Sequence, residues 1–435
     1  MSLDESKLSR LEREVHRLRT SPSLRLGVHI TNAIKKPWRT PFLIITLPIM
    51  MISIGFELLG WKSQPNALIS KYSEKQMLNP KCVVMFPTNG VGFGHFTRML
   101  AVAKRMKKLD SDLEIIFFTT MPTLHLLKPY GIPAHHIAGP KYFKDMSSEE
   151  WNALLEEELI ICLETHRPSM FLFDGAFPYR GMLRAIQGRD KMRKLWMRRG
   201  TFRKGSSIPV DSINHFDTVI HPQDSIVSKT SLTEHKQEII TCPPIVMLDQ
   251  EDLLSREQSR SRLGLPKDGI VVYVQLGAGE INNIESEVCI TVNALLQNPN
   301  VHVVLGESLI GERIHFQLPR VQILRDYPNS MYFRGFDATV QAGGYNSFHE
   351  TRTFGLPALF YPNMNTGMDD QLARCKVAEQ EGWGKVIEKR TYQNIHSACK
   401  HLLTHLQNPS DILQQSNGAD ILSVMLMEGL NGSVE

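Results

Sequence analysis

Eight short apolar runs dictate the architecture of this chain. Lys81–Phe86, Glu114–Thr119 and Ser169–Phe173 lie in the first half; Ile270–Gln275, Val301–Leu305, Val321–Leu324, Ala338–Val340 and Ala358–Tyr361 lie in the second. Helical stretches separate them. Parallel strands need a long crossover, usually a helix, so this alternation specifies parallel sheets covered on both faces. A stiff Cys242-Pro243-Pro244 segment divides the two series. The chain's 435 residues hold two such cores. The expected fold is α/β, with two Rossmann-like doubly wound domains facing a cleft. The expected boundaries are a helical, apolar segment over 1–62, a linker over 63–80, domains over 81–245 and 246–415, and a tail over 416–435 in which Ile421–Met427 forms a short helix.

Glycine-rich turns follow the strands. The first strand runs into Pro87–His95, which holds Gly90, Gly92, Gly94 and His95, then into a helix ending near Lys108. G-x-G-x-G is not the dinucleotide fingerprint, and the second strand ends Phe118-Thr119-Thr120 without the acid that would bind a ribose. This disfavours NAD. No G-x-x-x-x-G-K-[ST] run exists, which excludes a P-loop. No cofactor is expected.

The stretch Asp337–Gly355 has the clearest chemistry. Ala338-Thr339-Val340 ends a strand, and Gly343-Gly344, expected to adopt a backbone no other residue adopts cheaply, turns into a helix that Asn346 or Ser347 is expected to cap. Free N–H groups at a helix start attract phosphate. Glu350 lies one turn inside, within reach of a hydroxyl-bearing ligand. Asp369-Asp370-Gln371 forms a second polar cluster before another helix, and Leu276-Gly277-Ala278-Gly279-Glu280 is a further turn. Asp369 reads as a loop acid, and His349 as a packing residue.

Outside the domains, the N-terminus is unusual. Leu8, Leu11, Val15 and Leu18 form a short a/d seam that would serve self-association through residues 1–20 or a plain surface helix. Six basic and no acidic residues fall within 17–39. An uncharged apolar run follows from Pro41 to Phe56, interrupted by Pro48 and closed by Glu57. It falls short of the roughly 20 residues of a spanning helix. The favoured reading places it in the membrane interface with its basic flank on anionic headgroups; spanning, or packing as a buried hairpin, are the alternatives. Ten basic residues against one acid within Arg180–Lys204, interleaved with Trp196 and Phe202, read either as a solvated helix or as a second membrane-facing surface. Nucleic acid is not an expected partner. The net charge of +4 adds nothing. Six cysteines without a C-x-x-C pair read as free thiols.

The His-bearing glycine loop together with AGGYNSFHETRTFGLPALFYP and DDQLARC resembles the GT-B glycosyltransferases, over about residues 81–415. The group most resembled contains the enzyme that adds N-acetylglucosamine to the lipid-linked peptidoglycan precursor. The resemblance implies that Glu350 binds ribose hydroxyls and that Gly343, Gly344, Asn346 and Ser347 bind the diphosphate. It implies the donor sugar on Asp370 and Gln371, with Gly277 and Gly279 also on the donor side. Gly92, Gly94 and His95 would form the acceptor loop. Bulky Phe93 and Phe96, Tyr345 beside the phosphate turn, and the appended residues 1–80 depart from that pattern.

The expected activity is inverting, metal-independent transfer of a hexosyl or N-acetylhexosaminyl group. The donor would be a nucleoside-diphosphate sugar, UDP-linked by expectation. The acceptor would be a lipid-linked or polymeric envelope glycan at the cytoplasmic face of the membrane. His95 is the candidate base because imidazole titrates near neutral pH; Asp174, at a strand end, is the competing base or the partner that orients His95. The alternatives are a nucleotide-sugar 2-epimerase and a catalytically silent scaffold subunit of an envelope-polymer assembly.

Overall fold

The computed structural model describes residues 21–58, 78–88, 93–198, 210–226, 237–277, 284–308, 317–365, 369–404 and 416–431. The expected coil at 1–20, most of the linker, Gly92 and Gly279 lie outside these residues.

The N-terminal part is a helical hairpin: α1 (Pro22–Lys35), a 3-10 turn (Pro37–Phe42) and α2 (Leu43–Leu58). The first domain follows with β1 (Asn79–Pro87), α3 (Gly94–Leu109), β2 (Glu114–Thr119), β3 (Ala134–His136), α4 (Ser148–His166), β4 (Pro168–Asp174), α5 (Arg180–Ile186), β5 (Arg193–Met197), β6 (Thr218–Pro222) and β7 (Glu238–Cys242). Its seven strands pair in the order β3-β2-β1-β4-β5-β6-β7, each pair parallel. The second domain contains α6 (Arg256–Arg262), β8 (Ile270–Gln275), α7 (Glu285–Leu296), β9 (Val301–Gly306), β10 (Val321–Leu324), β11 (Ala338–Ala342), α8 (Tyr345–Thr353), β12 (Ala358–Tyr361), α9 (Gln371–Gln380), β13 (Gly384–Val386) and α10 (Tyr392–Thr404). Its six strands pair in the order β10-β9-β8-β11-β12-β13.

Unbroken apolar strands fit sheets covered on both faces. In β1, Val83 and Met85 enter one core while Cys82, Val84 and Phe86 enter the other. In each sheet the strand order reverses once, between β1 and β4 and between β8 and β11. A crevice opens at such a switch point, off the carboxyl ends of the strands. His95 follows β1, Asp174 ends β4, Gly277 follows β8, and Gly343 follows β11. Both switch points therefore carry predicted site residues.

The last segment is not a short helix in a polar tail. It is α11 (Gly418–Asn431), whose Ala419, Leu422, Leu426 and Leu430 enter the first domain's core. Apolar spacing of three and four residues gives it a buried stripe, and Asp420 accepts from Arg105 Nε at 2.7 Å. The first core also runs past residue 245, since Met247, Leu248 and Leu253 belong to it.

The basic stretch is no aromatic docking face over its described part. Leu195, Trp196 and Met197 are buried in β5. Arg184 pairs with Glu156, Arg189 with Glu164 and Arg193 with Glu238. Finally, Pro48 does not interrupt the apolar run: helical structure continues from Pro37 to Glu57, 21 residues. Glu57 does not simply close it, but turns back onto Arg25 Nη1 at 2.6 Å.

All six cysteines are free thiols, and all but Cys289 are buried.

Candidate active site

The first half of the site is a buried triad on α3 and β4. Asp174 Oδ1 lies 2.7 Å from His95 Nδ1. Arg98, one turn further along α3, donates to the same carboxylate through Nη2 at 2.8 Å and Nε at 3.2 Å. Burial alone would raise the Asp174 carboxyl, but Arg98 and His95 hold it below the usual range. Burial works against the Arg98 charge too, and Asp174 overcomes it. A carboxylate so held is a poor proton acceptor. Arg98 Nη2 also lies 2.9 Å from His95 Nδ1, so Asp174 and Arg98 both meet the same ring nitrogen. In the tautomer that donates Nδ1–H to Asp174, the basic lone pair is on Nε2.

The second half is built on β11 and α8. The helix begins at Tyr345 with Gly344 as its N-cap, and no side chain caps it. Asn346 and Ser347 lie inside the first turn, so neither caps as expected. The N–H groups of this turn precede the first intrahelical bond, Phe348 N to Gly344 O. Nor are the two glycines there for a left-handed backbone. Gly344 has φ −64° and ψ 150°. Gly343 is required for space: a Cβ there would run into Cys375 Sγ and the Gln371 side chain. Gly277 does use the left-handed region, at φ +104°.

Glu350 lies further along α8, where its Oε1 accepts from Ser330 Oγ at 3.2 Å. Burial pushes its carboxyl up to about 7, against that one stabilising hydrogen bond. It is half-buried and carries no described cation partner.

The two halves meet. Asn346 Nδ2 donates to Gly94 O at 3.3 Å, so the start of α8 touches the start of α3. Asn346 Oδ1 is buried there with no hydrogen-bond partner. Thr97 Oγ1 and Tyr327 OH lie 2.9 Å apart, and the Phe93 ring packs on Tyr327. The Tyr345 ring has the Arg98 guanidinium 5.2 Å from its centroid and that of Arg374 at 5.8 Å; its hydroxyl donates to Gln223 O at 2.8 Å.

Behind Tyr345, Asp224 reaches out of the first domain into the second. It meets Arg374 Nη2 at 2.6 Å and His349 Nε2 at 3.2 Å. Arg374 also donates to Asp369 Oδ1 at 2.6 Å and to Gly343 O at 2.8 Å. Burial would raise the Asp224 carboxyl, but His349 and Arg374 keep it far below the normal range. Asp369 is thus more than a loop acid. Asp370 caps α9 through Ala373 N at 3.0 Å, and Gln371 Oε1 accepts from Asn363 N at 2.9 Å. Both are positioned by the helix start. Among the described residues, no three His, Cys, Asp or Glu side chains converge as a metal site would require.

Arg98, Asp224 and Arg374 were not singled out in the sequence. His95-x-x-Arg98 at helical spacing was the available signal for Arg98. Nothing local marks Asp224, because its partners lie 125 and 150 positions away.

The fold is GT-B. The glycotransferase of kitacinnamycin superposes with a TM-score of 0.55 at 15% identity, over 80% of this chain and 98% of that one. MurG of Acinetobacter baumannii gives 0.51 at 14%, over 80% and 100%. The spinosyn rhamnosyltransferase SpnG complexed with thymidine diphosphate gives 0.52 at 13%, over 80% and 99%. In sequence, 111 residues are 30% identical to an uncharacterized glycosyltransferase of Methanosarcina mazei, covering 25% of this chain and 29% of that protein. The chain thus spans under a third of the length of the curated relatives it matches. No family model matches it.

Proposed function

We propose that this protein is an inverting glycosyltransferase that takes its sugar from a nucleoside diphosphate, UDP first among the candidates. The acceptor is a lipid-linked or polymeric envelope glycan, presented at the cytoplasmic face of a membrane. One observation carries the reading: the uncapped start of α8, the helix that also bears half-buried Glu350, touches the start of α3, which bears the His95–Asp174 pair. In this reading the helix start binds the anion, Glu350 accepts from hydroxyls and the His95 imidazole serves as base.

The chemistry follows from these groups. Glu350 accepts from ribose hydroxyls. The N–H groups of Tyr345, Asn346 and Ser347 face the diphosphate, with the helix dipole behind them. His95 takes the proton of the acceptor hydroxyl through Nε2. As the acceptor oxygen bonds to the sugar's anomeric carbon, the bond to the diphosphate oxygen breaks. The N–H groups then offset the charge left on the diphosphate, a role that needs no metal. In-line attack inverts the anomeric centre. Gly94, at the start of α3, lines the acceptor side.

The relatives' names and the nucleotide bound by SpnG support this reading. Heat protection of the purified chain by a panel of nucleoside diphosphates tests it. A rise in melting temperature with UDP, absent with the nucleoside monophosphates, is expected; no protection by any diphosphate overturns it.

A further inference from the structure

The helical hairpin ahead of the first domain has its polarity arranged inside out. Every long apolar side chain on one side of α2 faces outward: Ile44, Ile45, Ile49, Met51, Ile52 and Phe56, with Ile44 82% exposed. At 100° per residue these fall within about 160° of the helix circumference. The opposite face holds Thr46, Ser53 and Glu57, and this face packs against α1. There the polar groups satisfy one another. Arg25 Nη1 and Nη2 grip Glu57 at 2.6 and 3.2 Å. His29 Nε2 lies 2.8 Å from Thr46 Oγ1, and Thr40 Oγ1 donates to Ala33 O at 3.1 Å. A hairpin with a paired seam inside and an apolar face outside suits a lipid environment better than water.

The charges decide how it would lie. The tip carries Lys35, Lys36 and Arg39, and the open end carries the Arg25–Glu57 pair. The 14 residues of α1 reach about 21 Å, short of the ~30 Å hydrocarbon core, whereas the continuous helical run Pro37–Glu57 would reach about 32 Å. With α1 that short, an upright hairpin would bury one charged end in hydrocarbon. If it crossed, its basic tip would lie outside, against the positive-inside tendency. Lying flat leaves both ends at headgroup depth. Trp38 at the tip, with the Arg39 guanidinium 4.7 Å from its ring centroid, suits that level.

We infer that residues 22–58 form a monotopic anchor lying in the plane of one leaflet. The outward face of α2 lies in acyl chains, α1 covers its polar side, and the tip cations rest on anionic headgroups. This deepens the membrane part of the proposed function and does not depend on the transfer reaction.

The test uses the full chain with Cys289→Ser, added to preformed phosphatidylcholine vesicles with and without phosphatidylglycerol. Flotation with the anionic vesicles is expected. The Ile44→Asp/Ile52→Asp variant should lose it. Lys35→Gln/Lys36→Gln/Arg39→Gln should weaken it by at least about tenfold and remove its salt dependence. Circular dichroism identical to that of the parent shows that a loss is not unfolding. A Lys36→Cys variant should react with an impermeant maleimide added outside intact vesicles. Labelling only after vesicle lysis means the hairpin crosses and overturns the inference, as does failure of the parent to float. Nucleotide protection is read separately, so failure here leaves the transferase reading standing.

Discussion

Asp224 and Arg374, 150 positions apart in sequence, form a fully buried ion pair across the two domains, at 2.6 Å with side-chain exposures of 1% and 0%. Removing Asp224 leaves the buried Arg374 with Asp369 as its remaining described carboxylate. Asp224→Ala is expected to cost about 1.5–3 kcal/mol in denaturant unfolding. The same change should lower the cooperativity of the transition, since His349 and Arg374 both lose their contact with the first domain. An effect below about 1 kcal/mol would mean that the pair does not couple the domains.

Gly343 and Gly344 are adjacent but should respond oppositely to a methyl group. A Cβ on Gly343 meets Cys375 and Gln371, whereas one on Gly344 meets nothing within 4 Å. Gly343→Ala should cost about 1–3 kcal/mol, while Gly344→Ala should fall within about 0.5 kcal/mol of the parent. Thermal denaturation of the two variants side by side checks this.

What the sequence revealed has a physical pattern. Strands such as Lys81–Phe86 were legible because both faces of a parallel strand are apolar. The switch-point positions of His95, Asp174 and Gly343 followed from the strand–turn–helix order. Trp196 was misread because β5 begins with Arg193 and Lys194, so a core strand looked like a cationic surface. The role of Gly343 was misread because a need for space leaves no sequence mark distinct from a need for φ. Asn346 looked like a cap, but it is used across the domain interface. Asp224 was invisible because its meaning lies entirely in distant partners.

His95 and Asp174 should separate in kinetics. If His95 Nε2 is the base, His95→Ala should lower kcat by about 10²–10⁴-fold with little change in donor KM. Asp174→Asn keeps the shape but lets the ring take the wrong tautomer, so it should also lower kcat. It should weaken the hold on Arg98 as well. A His95→Ala enzyme with full kcat would remove the imidazole from the mechanism.

The Glu350 carboxyl should give nucleoside binding a pH dependence. Its folded-state value of about 7 lies above the ordinary 4.5. The protonated form is therefore favoured by folding. That contribution to stability is fully present below about 4.5 and is lost as pH rises through about 7. Ribose hydroxyls that donate to Glu350 need the carboxylate, so binding runs the other way. Affinity for the plain nucleoside, which has no titrating phosphate, should rise roughly tenfold between about pH 6 and 8. Glu350→Gln should flatten that slope. An equal slope in both proteins would assign it to another group.

The most direct test of the donor site is calorimetric titration of the most protective nucleoside diphosphate into the parent, Glu350→Ala and His95→Ala, at a pH where Glu350 is ionised. The prediction is a Kd at least about tenfold higher for Glu350→Ala, about 1.4 kcal/mol, with His95→Ala unchanged and both variants folded. An unchanged Kd in Glu350→Ala would contradict the assignment of this cleft as a nucleotide-sugar site.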